Sequence, residues 1–146
     1  MSFRIRLICI SICLAAALFP FGCSEKESQK PTARDYFDRA YQFVDAGNIQ
    51  DAISLYTLSI EKDPRFADAY YNRGVMHYFL KNYRQAIEDF DKTIALNPSH
   101  SMAYASRGRV YEVMKNDHQA VIDFRAAARL GDKDARDYLK SKAIGW

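Results

Sequence analysis

A spacing of 34 residues runs through most of this chain. Ala52, Ala86 and Ala120 mark it, and Tyr36, Tyr70 and Tyr104 fall into the same step. So do Arg39, Arg73 and Arg107, and with them Ala40, Gly74 and Gly108. Asn48, Asn82 and Asn116 keep the register, as do Tyr56, Phe90 and Phe124, then Ser59, Thr93 and Ala127. Pro64 and Pro98 close two units, and Asp132 stands where a third Pro would be. A fixed period of this length dictates a repeating architecture, because one such unit cannot bury its own apolar face and must stack on its neighbours.

Each period resolves into two helices. In the second, Ala67–Leu80 and Tyr83–Leu96 carry apolar residues at three- and four-residue steps. Asn82 between them suits a short turn, since Asn tolerates left-handed backbone and can cap a helix. Pro98 stops the second helix, because it lacks an N–H and restricts the residue before it. The same pattern predicts helices near 33–46 and 49–62, then 101–114 and 117–130, with Gly47 supplementing Asn48 at the first turn. Ala40, Gly74 and Gly108 are expected where the helices of a pair meet, facing Ala52, Ala86 and Ala120. Only small side chains permit that short interaxial distance, and Tyr56, Phe90 and Phe124 fill the space beyond. Arg73 and Asp89 share their offset with Arg107 and Asp123, which predicts interhelical ion pairs in units two and three. Unit one has Arg39 but Leu55, and should lack the pair.

Composition agrees. Gly (6) and Pro (4) are scarce while Tyr (10) and Phe (9) are plentiful, which favours a helical chain over a turn-rich sheet. A formal net charge of +3 is too small to argue for nucleic acid binding.

The first 22 residues read as an address. Arg4 and Arg6 precede an apolar run from Leu7 to Phe19, then Pro20-Phe21-Gly22-Cys23. This is the layout of a secretory signal peptide, with an apolar centre too short to cross a bilayer as a helix. Gly22-Cys23 resembles the end of a bacterial lipoprotein signal, in which the cysteine is lipidated and becomes the new first residue. Pro20 and Phe21 depart from that motif, which usually has Leu and a small residue there. The resemblance implies an acyl anchor on Cys23, holding the protein at a membrane surface. Ser24 after the cysteine resembles the signal for the outer membrane, on its periplasmic face, if the organism has two membranes. Residues 23–32 read as a flexible polar tether. Cysteine is absent after Cys23, so the body has no internal disulfide and no thiolate metal site.

The stretch Ala69-Tyr-Tyr-Asn-Arg-Gly74, through Tyr83-Arg-Gln-Ala-Ile-Glu-Asp-Phe90 to Leu96-Asn-Pro98, resembles the tetratricopeptide repeat. The resemblance covers residues 33–134 as units 33–66, 67–100 and 101–134. Ala40, His77 and the missing third Pro depart from the family pattern. The fold implied is all-α: an α-α superhelix, or solenoid, of three helix pairs. Residues 135–146 follow as a capping helix and tail, with Tyr138 and Leu139 facing the last repeat.

No catalytic constellation accompanies the repeats. His77, His100 and His118 lack ligand spacing, and His77, between Met76 and Tyr78, reads as a packed structural residue. There is no phosphate-cradling Gly-rich loop, and Glu88-Asp89 reads as part of a solvated face. No cofactor and no metal are expected. The resemblance implies instead a concave groove lined by the first helices, taking a peptide or partner helix. Matching positions place Phe37, Asp38, Tyr41, Tyr71, Asn72, Val75, Phe79, Ser106, Arg109 and Val113 there. Asn72 matches an Asn that often bonds a ligand's backbone. Phe37 and Tyr41 occupy places that the family's two-carboxylate clamp gives to Lys and Asn, so that motif is not an expected ligand. The function expected is a non-catalytic scaffold, a lipoprotein of the cell envelope. The alternative is a soluble exported adaptor that self-associates through its groove and the tail Ile144-Gly-Trp146, which leaves the oligomeric state open.

Overall fold

The computed structural model describes residues 30–145; the leader, Cys23, most of the tether and Trp146 lie outside the described residues. Seven helices account for the regular structure there: α1 Ala33–Asp45, α2 Ile49–Lys62, α3 Ala67–Phe79, α4 Tyr83–Leu96, α5 Ser101–Val113, α6 Asp117–Arg129 and α7 Lys133–Ser141. The pairs α1–α2, α3–α4 and α5–α6 pack most closely, and α2 meets α3, α4 meets α5 and α6 meets α7 in turn. The chain is thus an all-α solenoid. No described helix is long and apolar enough to cross a membrane.

Local chemistry sets the helix ends. Thr32 opens α1 with a capping box: its hydroxyl accepts from the Asp35 N–H at 3.2 Å, and the Asp35 carboxylate accepts from the Thr32 N–H at 2.8 Å. That backbone N–H, and then the Thr32 hydroxyl, hold the Asp35 carboxyl below its ordinary pKa. Helices α2 and α4 stop before Asp63-Pro64 and Asn97-Pro98, as expected. The turns inside the pairs differ from expectation. Asn82 has φ −80°, and the left-handed residue is the one before it, Lys81, at φ 61°. Gly47 and Lys115 do the same work, at φ 76° and 61°. The reason lies in the backbone bonds. The Lys81 N–H reaches the Tyr78 carbonyl and the Asn82 N–H the His77 carbonyl, both at 2.9 Å. Such a paired closure of a helix end requires left-handed backbone at its penultimate position.

Side-chain size sets the spacing inside each pair. Ala40, Ala52, Ala86 and Ala120 are wholly buried, with Tyr56, Phe90 and Phe124 beside them. A Cβ on Gly74 would stand 2.9 Å from Phe90 Cε1, closer than real Cβ atoms come, and a tight 3.1 Å from Asp89 Cβ. On Gly108 it would meet Asp123 Cβ at 3.2 Å and the Ala120 carbonyl at 3.3 Å.

Both expected ion pairs form, and they reach further than the sequence suggested. Arg73 grips Asp89 through Nε and Nη2, at 2.9 and 2.7 Å, and donates from Nη1 to Thr57 of the preceding repeat at 3.1 Å. Arg107 grips Asp123 in the same way, at 2.8 and 2.7 Å, and donates to Asp91 of the preceding repeat. Asp89 and Asp123 are buried, so these two-pronged pairs are stronger than exposed ones. Each arginine therefore ties three helices. In unit one Leu55 is half-buried and packs against the core, and Arg39 lies over the Phe43 ring at 6.0 Å.

Helix α7 closes the last repeat. It begins at Lys133, two residues earlier than the expected boundary, because the Asp132 carboxylate accepts from the Ala135 N–H at 2.8 Å and caps it. Leu139 is fully buried, and the Tyr138 ring lies 4.1 Å from that of Phe124. Burial, helped by a 2.9 Å hydrogen bond to Glu112, pushes the Tyr138 phenol up to about 12.

Candidate functional site

The first helices of repeats two and three, α3 and α5, also touch one another. Between them lies a concavity of about 310 Å³. It is lined by Tyr71, Val75, Tyr78 and Phe79 of α3, Phe90 of α4, and Ser106 and Arg109 of α5. Tyr71, Val75 and Tyr78 share one face because they fall at helical steps of four and seven. A second concavity of about 220 Å³ adjoins it, lined by Tyr71, Met102, Ala105, Ser106, Arg109, Asp132 and Asp134. Tyr71, Ser106 and Arg109 border both, and the Tyr71 and Ser106 hydroxyls stand 3.5 Å apart.

Five residues expected in the groove, Tyr71, Val75, Phe79, Ser106 and Arg109, thus line one space. Phe79 is 60% exposed, the most exposed large apolar side chain among the described residues. Tyr41 donates to Asn72 Oδ1 at 3.4 Å, and Asn72 Nδ2 donates to the Asp68 carbonyl at 2.8 Å. The Asn72 amide is therefore already engaged. Asp38 is exposed and paired with Arg34 at 2.9 Å, and Val113 is an exposed residue at the end of α5. Phe37 is a correction. It is buried in the core, with its ring 4.9 Å from Phe66 and 5.5 Å from Tyr56. A ring with no polar edge gains most from such a site.

Tyr78, Phe90, Met102, Ala105, Asp132 and Asp134 were not anticipated. Tyr78 lies two turns beyond Tyr71, and Met102 one turn before Ser106, so helical periodicity could have flagged both. Asp132 and Asp134 come from the end of the third unit, where α7 starts.

The polar equipment is sparse. Arg73 and Arg107 are committed to carboxylates, whereas Arg109 has no hydrogen bond or ion pair among the described residues. His77 is packed beside Asp89, with Nε2 at 3.9 Å and Nδ1 unpartnered, and burial lowers its pKa. Among the described residues, no group of three or more His, Cys, Asp or Glu could hold a metal ion. The arrangement offers apolar volume edged by hydroxyls and one guanidinium, suited to seating side chains.

These features define a helical-repeat solenoid with an open inner face. Two tetratricopeptide-repeat family models match, over residues 37–83 and 67–100, the latter spanning the second period. Residues 37–100 are thus tetratricopeptide repeats. Among solved structures the chain is similar to the first TPR of Spaghetti (RPAP3) bound to HSP90 peptide SRMEEVD, with a TM-score of 0.72 and 24% identity over 75% of this chain and 89% of that one. The second TPR of Spaghetti, bound to the same peptide, gives 0.66 and 29% over 68% and 92%. MamA gives 0.67 and 30% over 72% of this chain and 61% of its own, so the chain spans about three fifths of MamA. No curated protein matches the sequence significantly.

Proposed function

We propose that the protein is a non-catalytic docking scaffold, exported and held by a lipid on Cys23 at a bacterial membrane surface. There it binds a peptide or partner helix in the groove between α3 and α5, in the service of envelope assembly. The observation that carries the binding reading is the aromatic concavity left open on the inner helices, with Phe79 exposed at its edge. Peptide-bound TPR domains among the structural relatives support it. The anchoring reading draws on the sequence alone: Arg4 and Arg6, the apolar run and Gly22-Cys23. If the organism has two membranes, Ser24 favours the outer one. Self-association through the tail has less support. Ile144 packs on its own last repeat, and Arg125 Nε donates to the Gly145 carbonyl at 2.8 Å.

A crosslinked pull-down from membranes tests the binding reading. A partner captured by wild type and lost by Tyr71→Ala with Phe79→Ala, at preserved helicity, is the expected result. Equal capture by both would move binding to another face. Alkyne-palmitate labelling tests the anchor: Cys23→Ala should abolish it, and persistent label would contradict lipidation there.

A further inference from the structure

Resting on the groove reading, we propose that the occupant presents a bulky apolar side chain followed closely by a single carboxylate, and that Arg109 reads the acid. Of the three arginines on α3 and α5, Arg73 and Arg107 are locked to buried aspartates that their own folds supply. Arg109 has no such partner among the described residues, yet it forms part of the wall of both concavities. A guanidinium beside Tyr71 and Phe79 sheds water when an apolar group fills the space, and a carboxylate arriving with that group then meets a less screened charge.

Size narrows the occupant. At about 310 Å³ the concavity sits at the small end of ligand sites, which start near roughly 300 Å³. It accommodates one or two side chains of a longer partner. Charge narrows it further. Asp132 is occupied in capping α7, but it and the exposed Asp134 line the second concavity beyond Arg109. They repel a second acid there, so one carboxylate is favoured over an acidic run.

The test uses capped hexapeptides of Gly and Ser, N-acetylated and C-amidated, carrying one Phe and one Glu one to three positions later. Gln and Ala counterparts replace Glu and Phe in turn. Amide shifts of the purified protein are followed by NMR during titration. At least one Glu peptide is expected to shift Val75, Phe79 and Arg109 and to bind about fivefold tighter than its Gln form, as one exposed ion pair allows. Arg109→Gln should bring that ratio to about one while the preference for Phe over Ala survives. Glu and Gln forms that bind alike at α3 and α5, or a ratio unmoved by Arg109→Gln, would overturn this inference and leave the groove reading standing. No shift on α3 or α5 with any peptide at millimolar concentration would overturn both.

Discussion

The first and second repeats put an aromatic, a small residue and an arginine at matching positions, and then close in different ways. In the first, Phe37 packs on Phe66 and the seam between helices is apolar, with Leu55 half-buried against the core. In the second, Tyr71 stacks on His100 at 4.7 Å, keeps its hydroxyl at the groove, and the seam is the Arg73–Asp89 pair. The backbone geometry serves both. An open site arises where polar edges keep a ring from sinking fully into the core, and an ion pair holds the helices in place of lost apolar contact.

The largest expected effect comes from turning the third seam into the first. Asp123→Leu leaves the largely buried Arg107 guanidinium with only the exposed Asp91, and should cost about 3 kcal/mol in urea unfolding. A loss below about 1 kcal/mol would mean that Arg107 swings out to solvent as Arg39 does, and that the seams are interchangeable. Exchanging the small residue comes next. Gly74→Ala restores the alanine of unit one but drives a Cβ against the buried Phe90. Overpacking of about 1–3 kcal/mol should outweigh the gain of about 1 kcal/mol in helix propensity. A rise in melting temperature would show that Phe90 yields.

Giving the second turn the glycine of the first should act in the opposite direction. Lys81→Gly relieves left-handed strain and should stabilise by about 0.5–1 kcal/mol, read from the urea midpoint. The smallest effect is a pH dependence confined to repeat two, where His77 stands in place of Phe43 and Tyr111. Burial holds the folded pKa of His77 below its ordinary value of about 6.5, so the unfolded chain takes up more protons just below that pH. Stability should therefore fall as pH drops from about 6.5 toward the folded value, and level off beneath it. Melting at pH 7.5 and 5.5 should show a smaller difference in His77→Tyr than in wild type.

The helices, the Pro-terminated ends and both ion pairs were legible in the sequence because each depends on residues that recur with the period. The second partners Thr57 and Asp91 lie at the same offset as Asp89 and Asp123 in the opposite direction, but differ in residue type and have no counterpart pattern to mark them. Left-handed Lys81 was hidden because its conformation follows from backbone closure, which ordinary side chains do not announce. Half of the expected groove residues came together around one concavity, since position in the repeat fixes which way a side chain leaves its helix. Phe37 did not, because the residue that ends its repeat and packs on it is Phe66, where the second repeat offers Tyr71 the more polar His100. Asp132 and Asp134 escaped because the third unit ends in residues unlike those of the first two: Asp132 replaces Pro, and Asp134 stands where Phe66 and His100 do.

Photocrosslinking in cells tests the central claim most directly. A benzophenone amino acid is placed at Phe79, on the groove edge, and in a separate strain at Glu88, an exposed residue of α4. The account predicts a discrete partner adduct from position 79 and none from 88. An adduct from 88 alone, or the same adduct from both, would contradict docking in the groove.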